Sequence, residues 1–333
     1  MEQLNPFVRR LGDPAAEDTE ALALDPSDSF CLTGGYRTVA YQRTLRASPP
    51  TAYHDERAKP FPHALHAVHA LWSPAGKRLA MVEHGGNVIH IFSGTDPFDR
   101  LHRIRAWTAP FAPRGCSYSA DGGLLATGTM DGHIAMHARS DDPLHHEYRV
   151  LTRLNARIHA LTFSPNDRFF AAASADAYVR WWHTEDRNAH THGEYLCNKY
   201  DGVGAIAFHP TQHSVLAVGC TNGSILLLDL ATGRPLDTLG TGATFGQHIQ
   251  ALRFSQDGDL LIAGTREGLL IYPTVPSCAI FIKSNFVRPV SALACTQDEQ
   301  LLLVNSTDNY GADGYGRGYC TLYDFLRPNF GRG

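Results

Sequence analysis

Between Arg157 and His183 the chain alternates apolar and polar residues in short runs, each closed by turn-forming residues. Ile158 to Phe163 alternates and runs into Ser164-Pro165-Asn166-Asp167. Phe169 to Ala173 is small and apolar, Ser174-Ala175-Asp176-Ala177 turns it, and Tyr178 to Trp182 follows. A period of two bounded by Pro, Asn, Asp and Ser predicts antiparallel strands joined by tight turns, not helices. One such sheet is too small to bury its own faces, so the pattern has to recur for the chain to fold.

It recurs along almost the whole sequence. The residue opening the first turn has equivalents at Asp25, Ser73, Ser119, Ser164, His209, Ser255 and Thr296, spaced 41 to 48 residues apart. One residue earlier stand Trp72, Tyr118, Phe163, Phe208, Phe254 and, last, Cys295. Three earlier stand Leu161, Ile206, Leu252 and Leu293, and six earlier Ile158, Val203, Ile249 and Val290. A small apolar strand follows each marker, as in Leu79 to Val82 or Leu260 to Ala263, and then a turn such as Met130-Asp131-Gly132 or Arg266-Glu267-Gly268. A four-stranded unit of about 40–45 residues is the period of a propeller blade. Seven markers predict an all-β fold, a seven-bladed β-propeller of four-stranded antiparallel blades. Circular closure would leave few exposed strand edges.

These residues resemble the WD40-repeat family over nearly all of the chain. Ser164-Pro165-Asn166-Asp167, Ser174-Ala175-Asp176 and Val179-Arg180-Trp181-Trp182 match its pattern, and Leu228-Asp229 and Tyr323-Asp324 stand where its Trp-Asp dipeptide belongs. That position is degenerate at Tyr41-Gln42, Phe92-Ser93, His137-Ala138, Trp182-His183 and Tyr272-Pro273, and no copy has the Gly-His dipeptide. Blade cohesion is therefore expected to rest mostly on apolar packing. The resemblance implies that the stretch from Pro6 to Leu11 pairs beside Tyr319 to Phe325 as the outer strand of the last blade. It divides the chain into an N-terminal extension at 1–22, the propeller at 23–327 and a tail at 328–333.

Charge narrows the function classes. Twenty-nine basic against 33 acidic residues give a net charge of −4. That balance does not indicate direct nucleic-acid contact, which calls for a basic face, although a local basic patch remains compatible with it. The seven cysteines form no Cys-x-x-Cys pair. Five of them, Cys31, Cys116, Cys220, Cys295 and Cys320, fall on expected strands as small core residues. This suits a reducing compartment, cytoplasm or nucleus. No signal or transit peptide and no apolar run long enough to span a membrane is expected.

Candidate contacts lie on loops. The second turn of the last blade is expanded to Ser306 through Gly318, with four glycines interleaved with Tyr310, Tyr315 and Arg317. Glycine permits unusual backbone angles while Tyr and Arg supply adhesive surface. Asn309, Tyr310, Asp313, Tyr315 and Arg317 are the expected partner-binding residues there. Arg105 and Trp107, on an outer strand, form a second candidate, because Arg and Trp are common interface anchors. His63, His66 and His69 at spacing three lead into a strand and do not share a face. His190, His192 and Glu194 have zinc-compatible side chains but no Cys or third fixed His, so no metal is expected. Gly240 to Gly246 is followed by a strand rather than a helix, so it reads as a turn, and no cofactor is expected. Arg9-Arg10 sits in Phe-Val-Arg-Arg-Leu-Gly, a poor match to the Phe-Arg-Arg-Gly of phosphoinositide-binding propellers. No Gly-x-Ser-x-Gly, His-Glu-x-x-His or phosphate-binding loop appears. The sequence thus points to a non-catalytic scaffold or adaptor, a subunit of a multiprotein complex. A phosphoinositide- or small-ligand-binding propeller and a propeller hydrolase are the alternatives.

Overall fold

The computed structural model describes residues 8–15, 19–27, 30–35, 39–42, 59–60, 67–83, 88–93, 102–108, 113–138, 148–185, 192–197, 202–239, 248–274, 282–283, 289–295, 301–307 and 318–325. Their strands form seven four-stranded antiparallel sheets. Six sheets are consecutive in sequence, here blade 1 (19–60), blade 2 (67–108), blade 3 (113–153), blade 4 (158–196), blade 5 (203–239) and blade 6 (249–283). Blade 7 takes three strands from 290–325 and its fourth, Val8–Ala15, from the other end of the chain. Val8 stands opposite Phe325 and Arg10 opposite Tyr323. The first strand of each blade touches the first strand of the next, and those of blades 7 and 1 touch too, which closes a ring.

Both faces of each sheet are covered by neighbouring blades, and this sets the residue pattern. A strand buried on both faces reads as a continuous apolar run. Accordingly all six residues of Phe169–Ser174, Val215–Cys220 and Leu260–Thr265 are buried. Alternate residues serve opposite neighbours. Ala171, Ala173 and Trp181 pack with Val203, Phe208 and Leu216 of blade 5. Phe170, Ala172 and Trp182 pack with Ala126, Ile134 and Leu151 of blade 3.

The blades differ most in their outermost strands. The outermost strands of blades 1 and 6 are only Lys59–Pro60 and Ile282–Lys283. These strands lie on the rim. The first strand of blade 1 begins at Thr19, ahead of the expected boundary at 23. Every innermost strand also carries a register shift near its start, leaving Glu20, Val68, Arg114, His159, Gly204, Gln250 and Ser291 unpaired in the ladder. Such bulges re-aim the side chain of the extra residue.

Hydrogen bonds in the turns act beside the apolar packing. The markers Asp25, Ser73, Ser119, Ser164, His209 and Ser255 are buried and tie their own turns. Ser164 Oγ donates to Asn166 Oδ1 at 2.8 Å and accepts the Phe169 N–H at 2.9 Å. Ser119 and Ser255 do the same with Asp121 and Leu124, and with Asp257 and Leu260.

Neighbouring marker turns also touch. Gly76 lies over Pro26, Gly122 over Pro74 and Gly258 over His209. Blade 4 has Asp167 at the equivalent place, with φ of 55°. Its carboxylate reaches into blade 3 and accepts the N–H groups of Ala120 at 2.6 Å and Asp121 at 2.9 Å. Asp167→Ala is expected to cost about 1–2 kcal/mol through the lost acceptors and the left-handed backbone. Asp167→Gly removes only the backbone part, so it should recover part of that loss; equal urea midpoints for wild type and D167G would show that the clamp adds nothing.

Candidate protein-interaction face

The ring has two ends. One carries the marker turns. The other carries the second turn of each blade and the links between blades. The expanded turn of blade 7 joins Leu301–Thr307 to Gly318–Phe325 and so belongs to the second end. Asn309, Tyr310, Asp313, Tyr315 and Arg317 themselves lie outside the described residues. Arg105 and Trp107 are on the outermost strand of blade 2, opposite Ile91 and Ile89, and so on the rim rather than an end. The two expected groups therefore do not form one site.

On the second end each described turn is tied down locally. In blade 3, Thr129 Oγ1 donates to Asp131 Oδ1 at 2.7 Å and accepts the His133 N–H at 2.9 Å, which leaves Met130 41% exposed at the tip. The Leu154 N–H donates to the Gly132 carbonyl at 2.8 Å and fastens the link to blade 4. In blade 4, Arg180 Nη1 donates to Asp176 Oδ2 at 2.9 Å and its Nε to Glu194 Oε2 at 3.0 Å. The guanidinium carbon stands 4.7 Å from the Tyr178 ring centre. Burial pushes the Asp176 carboxyl up, but hydrogen bonds from Ser174, Arg180 and the Tyr178 amide outweigh it and hold it below its ordinary 3.8. In blade 5, Asn222 Oδ1 accepts the Ser224 N–H and hydroxyl at 2.9 and 2.7 Å.

Asp121 is likewise held low, chiefly by the Ser119 hydroxyl, then by the Gly123 amide. A carboxyl depressed in the folded state stabilises it above the unfolded value and stops doing so as pH falls through the folded one. Stability is therefore expected to drop on acidification below 3.8. Thermal melts across that range test this, with D121N and D176N each flattening the slope.

Basic residues lie at the starts of the innermost strands of blades 4 and 6, on the end that carries the second turns. Arg157 Nε donates to His159 Nε2 at 3.3 Å. His159 is held below 6.5 by burial, then by the charges of Arg157 and His248. His248 is lowered by burial and by Arg266.

Sequence reasoning did not find the groove of about 680 Å³ on the marker end, between blades 3 and 4. Asp121, Asn166, Arg168, His183 and Glu185 are among its lining residues. His183 Nε2 lies 3.2 Å from His192 Nε2. Only the spacing of markers one blade apart hinted that these turns adjoin.

Among the described residues no three His, Cys, Asp or Glu side chains come together as metal ligands. His69 sends Nε2 to the Cys116 carbonyl at 3.2 Å, and burial lowers its pKa. His63, His66, His190 and residues 240–247 lie outside the described residues. Cys116, Cys220 and Cys295 are buried free thiols, and Cys197 is half-buried. Among the described residues no helix is long and apolar enough to cross a membrane.

Comparison with known proteins places this architecture. Residues 148–183 match the family model "WD domain, G-beta repeat". One blade is thus a WD repeat, and the ring as a whole is a β-propeller. This propeller is 22% identical over 213 residues to a guanine nucleotide-binding protein subunit beta-like protein of Encephalitozoon cuniculi (strain GB-M1), covering 59% of this chain and 63% of that one. It is 24% identical over 186 residues to pre-mRNA-processing factor 19 of Oryza sativa subsp. japonica, covering 56% of this chain but 34% of the relative. A chain in a crystal structure of the mitotic checkpoint complex superposes with a TM-score of 0.73 at 15% identity, over 97% of this chain and 92% of that one, which shows the shared fold.

Proposed function

We propose that this WD40 propeller is a non-catalytic scaffold that holds other proteins of a larger assembly on the end carrying the second turns. The observation that carries this reading is the state of those turns. Thr129, Asp131, Ser174, Asp176 and Asn222 spend their polar groups on fixing their own loops. What remains outward is a preorganised surface with tips such as Met130. Binding through surfaces already in shape avoids the cost of ordering them. The relatives fit this: one is named as a subunit, and the fold neighbour was crystallised within a complex. The chain spans between one third and two thirds of those two curated relatives, so their assemblies serve only as a class. Free buried thiols suit the cytoplasm or nucleus.

Affinity purification of the tagged full chain with mass spectrometry tests the reading. Stoichiometric partners are expected, and a triple substitution of Tyr310, Tyr315 and Arg317 should remove at least one. Recovery of the chain alone would overturn the scaffold. An unchanged partner set would remove the blade 7 turn as a contact.

A further inference from the structure

Four basic residues from two non-adjacent blades lie on the end proposed to hold partners, on either side of blade 5. Arg157 leads into the first strand of blade 4, and His159 is the bulged residue of that strand. Their 3.3 Å contact uses Arg157 Nε, and the Arg157 side chain is exposed. His248 leads into the first strand of blade 6, and Arg266 sits in the second turn of that blade. Blade 5 lies between them, and at its bulge it has Gly204. A Cβ there would stand 2.1 Å from the Ile249 carbonyl oxygen and 2.8 Å from His248 Nε2. The missing side chain is what lets His248 pack over the bulge of blade 5.

Every charge that moves these two imidazoles is positive. Arg157 and His248 act on His159, and Arg266 acts on His248. Nearby acids are engaged or offset: Asp176 and Glu194 are bound by Arg180, and Glu267 adjoins Arg266. Among the described residues none of the four basic groups forms an ion pair with a carboxylate. Two guanidinium groups without a carboxylate partner are places where an anionic group can bind.

We infer that Arg157, His159, His248 and Arg266 form a docking site for an acidic segment of a partner protein, with Asp or Glu carboxylates seated on the two guanidinium groups. This rests on the scaffold reading and names the chemistry of what is held. The two permanent charges stand on blades 4 and 6 with blade 5 between them. That separation matches singly charged carboxylates spaced along an extended segment better than one compact dianion.

Fluorescence polarisation with the full chain tests the assignment. The probe is a labelled peptide alternating Glu and Ser, beside its Gln and phosphoserine counterparts. The Glu peptide is expected to bind and the Gln peptide not. R157Q and R266Q should each weaken binding by about fivefold or more, with R157K retaining most of it. Unchanged melting temperatures confirm that the exposed substitutions leave the fold intact. Equal binding of Glu and Gln peptides, no effect of R157Q and R266Q, or a phosphoserine peptide preferred more than about tenfold would each overturn the proposal. If these fail while purification still yields partners, the acidic site falls and the scaffold stands.

Discussion

Gly132→Ala should cost this propeller upward of about 3 kcal/mol, most of it from backbone crowding. Gly132 has φ of 89°, where side chains are strained whatever the space. The added Cβ would also stand 2.0 Å from the Leu154 carbonyl oxygen and 2.8 Å from that of Ala156. Neither contact is with a flexible side chain that can swing away. Relief would require separating the blade 3 turn from the link into blade 4, which the Leu154-to-Gly132 hydrogen bond holds at 2.8 Å. The control lies in the same blade. A Cβ on Gly115 meets nothing within 4 Å, so Gly115→Ala should be near neutral. Urea unfolding of both variants decides it; matching midpoints would mean that the turn yields freely and that the link is soft.

Trp182→Ala should cost about 3–5 kcal/mol, the range for removing a large aromatic side chain from a core. Trp182 is 2% exposed and belongs to the cluster joining blades 3 and 4, with the Phe170 ring 5.7 Å away. Strands on both sides are built into the ring, so the gap cannot collapse by a local shift. The indole Nε1 is buried without a hydrogen-bond partner. Trp182→Phe keeps much of the apolar volume and removes that unsatisfied donor, so it should lose far less than the alanine variant. If phenylalanine and alanine destabilise equally by calorimetry, packing volume is not what Trp182 contributes.

Sequence made the buried half of each blade plain and the outer half obscure, for a physical reason. Phe169–Ser174 and Leu260–Thr265 are enclosed on both faces, so their composition is constrained and their repeat is visible. Arg234–Leu239 has five exposed residues, among them Leu236 at 56%, and carries almost no pattern to read. Lys59–Pro60 and Ile282–Lys283 are too short to give one. Turn chemistry was half legible. Ser164-Pro165-Asn166-Asp167 announced a turn, but nothing in those letters says that the Asp167 carboxylate bonds to the next blade. The basic cluster was hidden for the same reason. His159 and His248 lie two repeats apart, and nothing in the letters between them says that His248 packs over Gly204 at the bulge of blade 5.

Blade 7 places Val8–Ala15 beside Gly318–Phe325, partners separated by nearly the whole sequence. During translation the earliest of these strands must wait on the ribosome for the latest. Until then the growing arc has two raw ends, each offering a strand border to whatever passes. Folding of this chain thus has a natural last event, the join between its beginning and its final strand. The long loop closed at that moment adds only logarithmically to the entropic cost, so the penalty falls on timing more than on final stability.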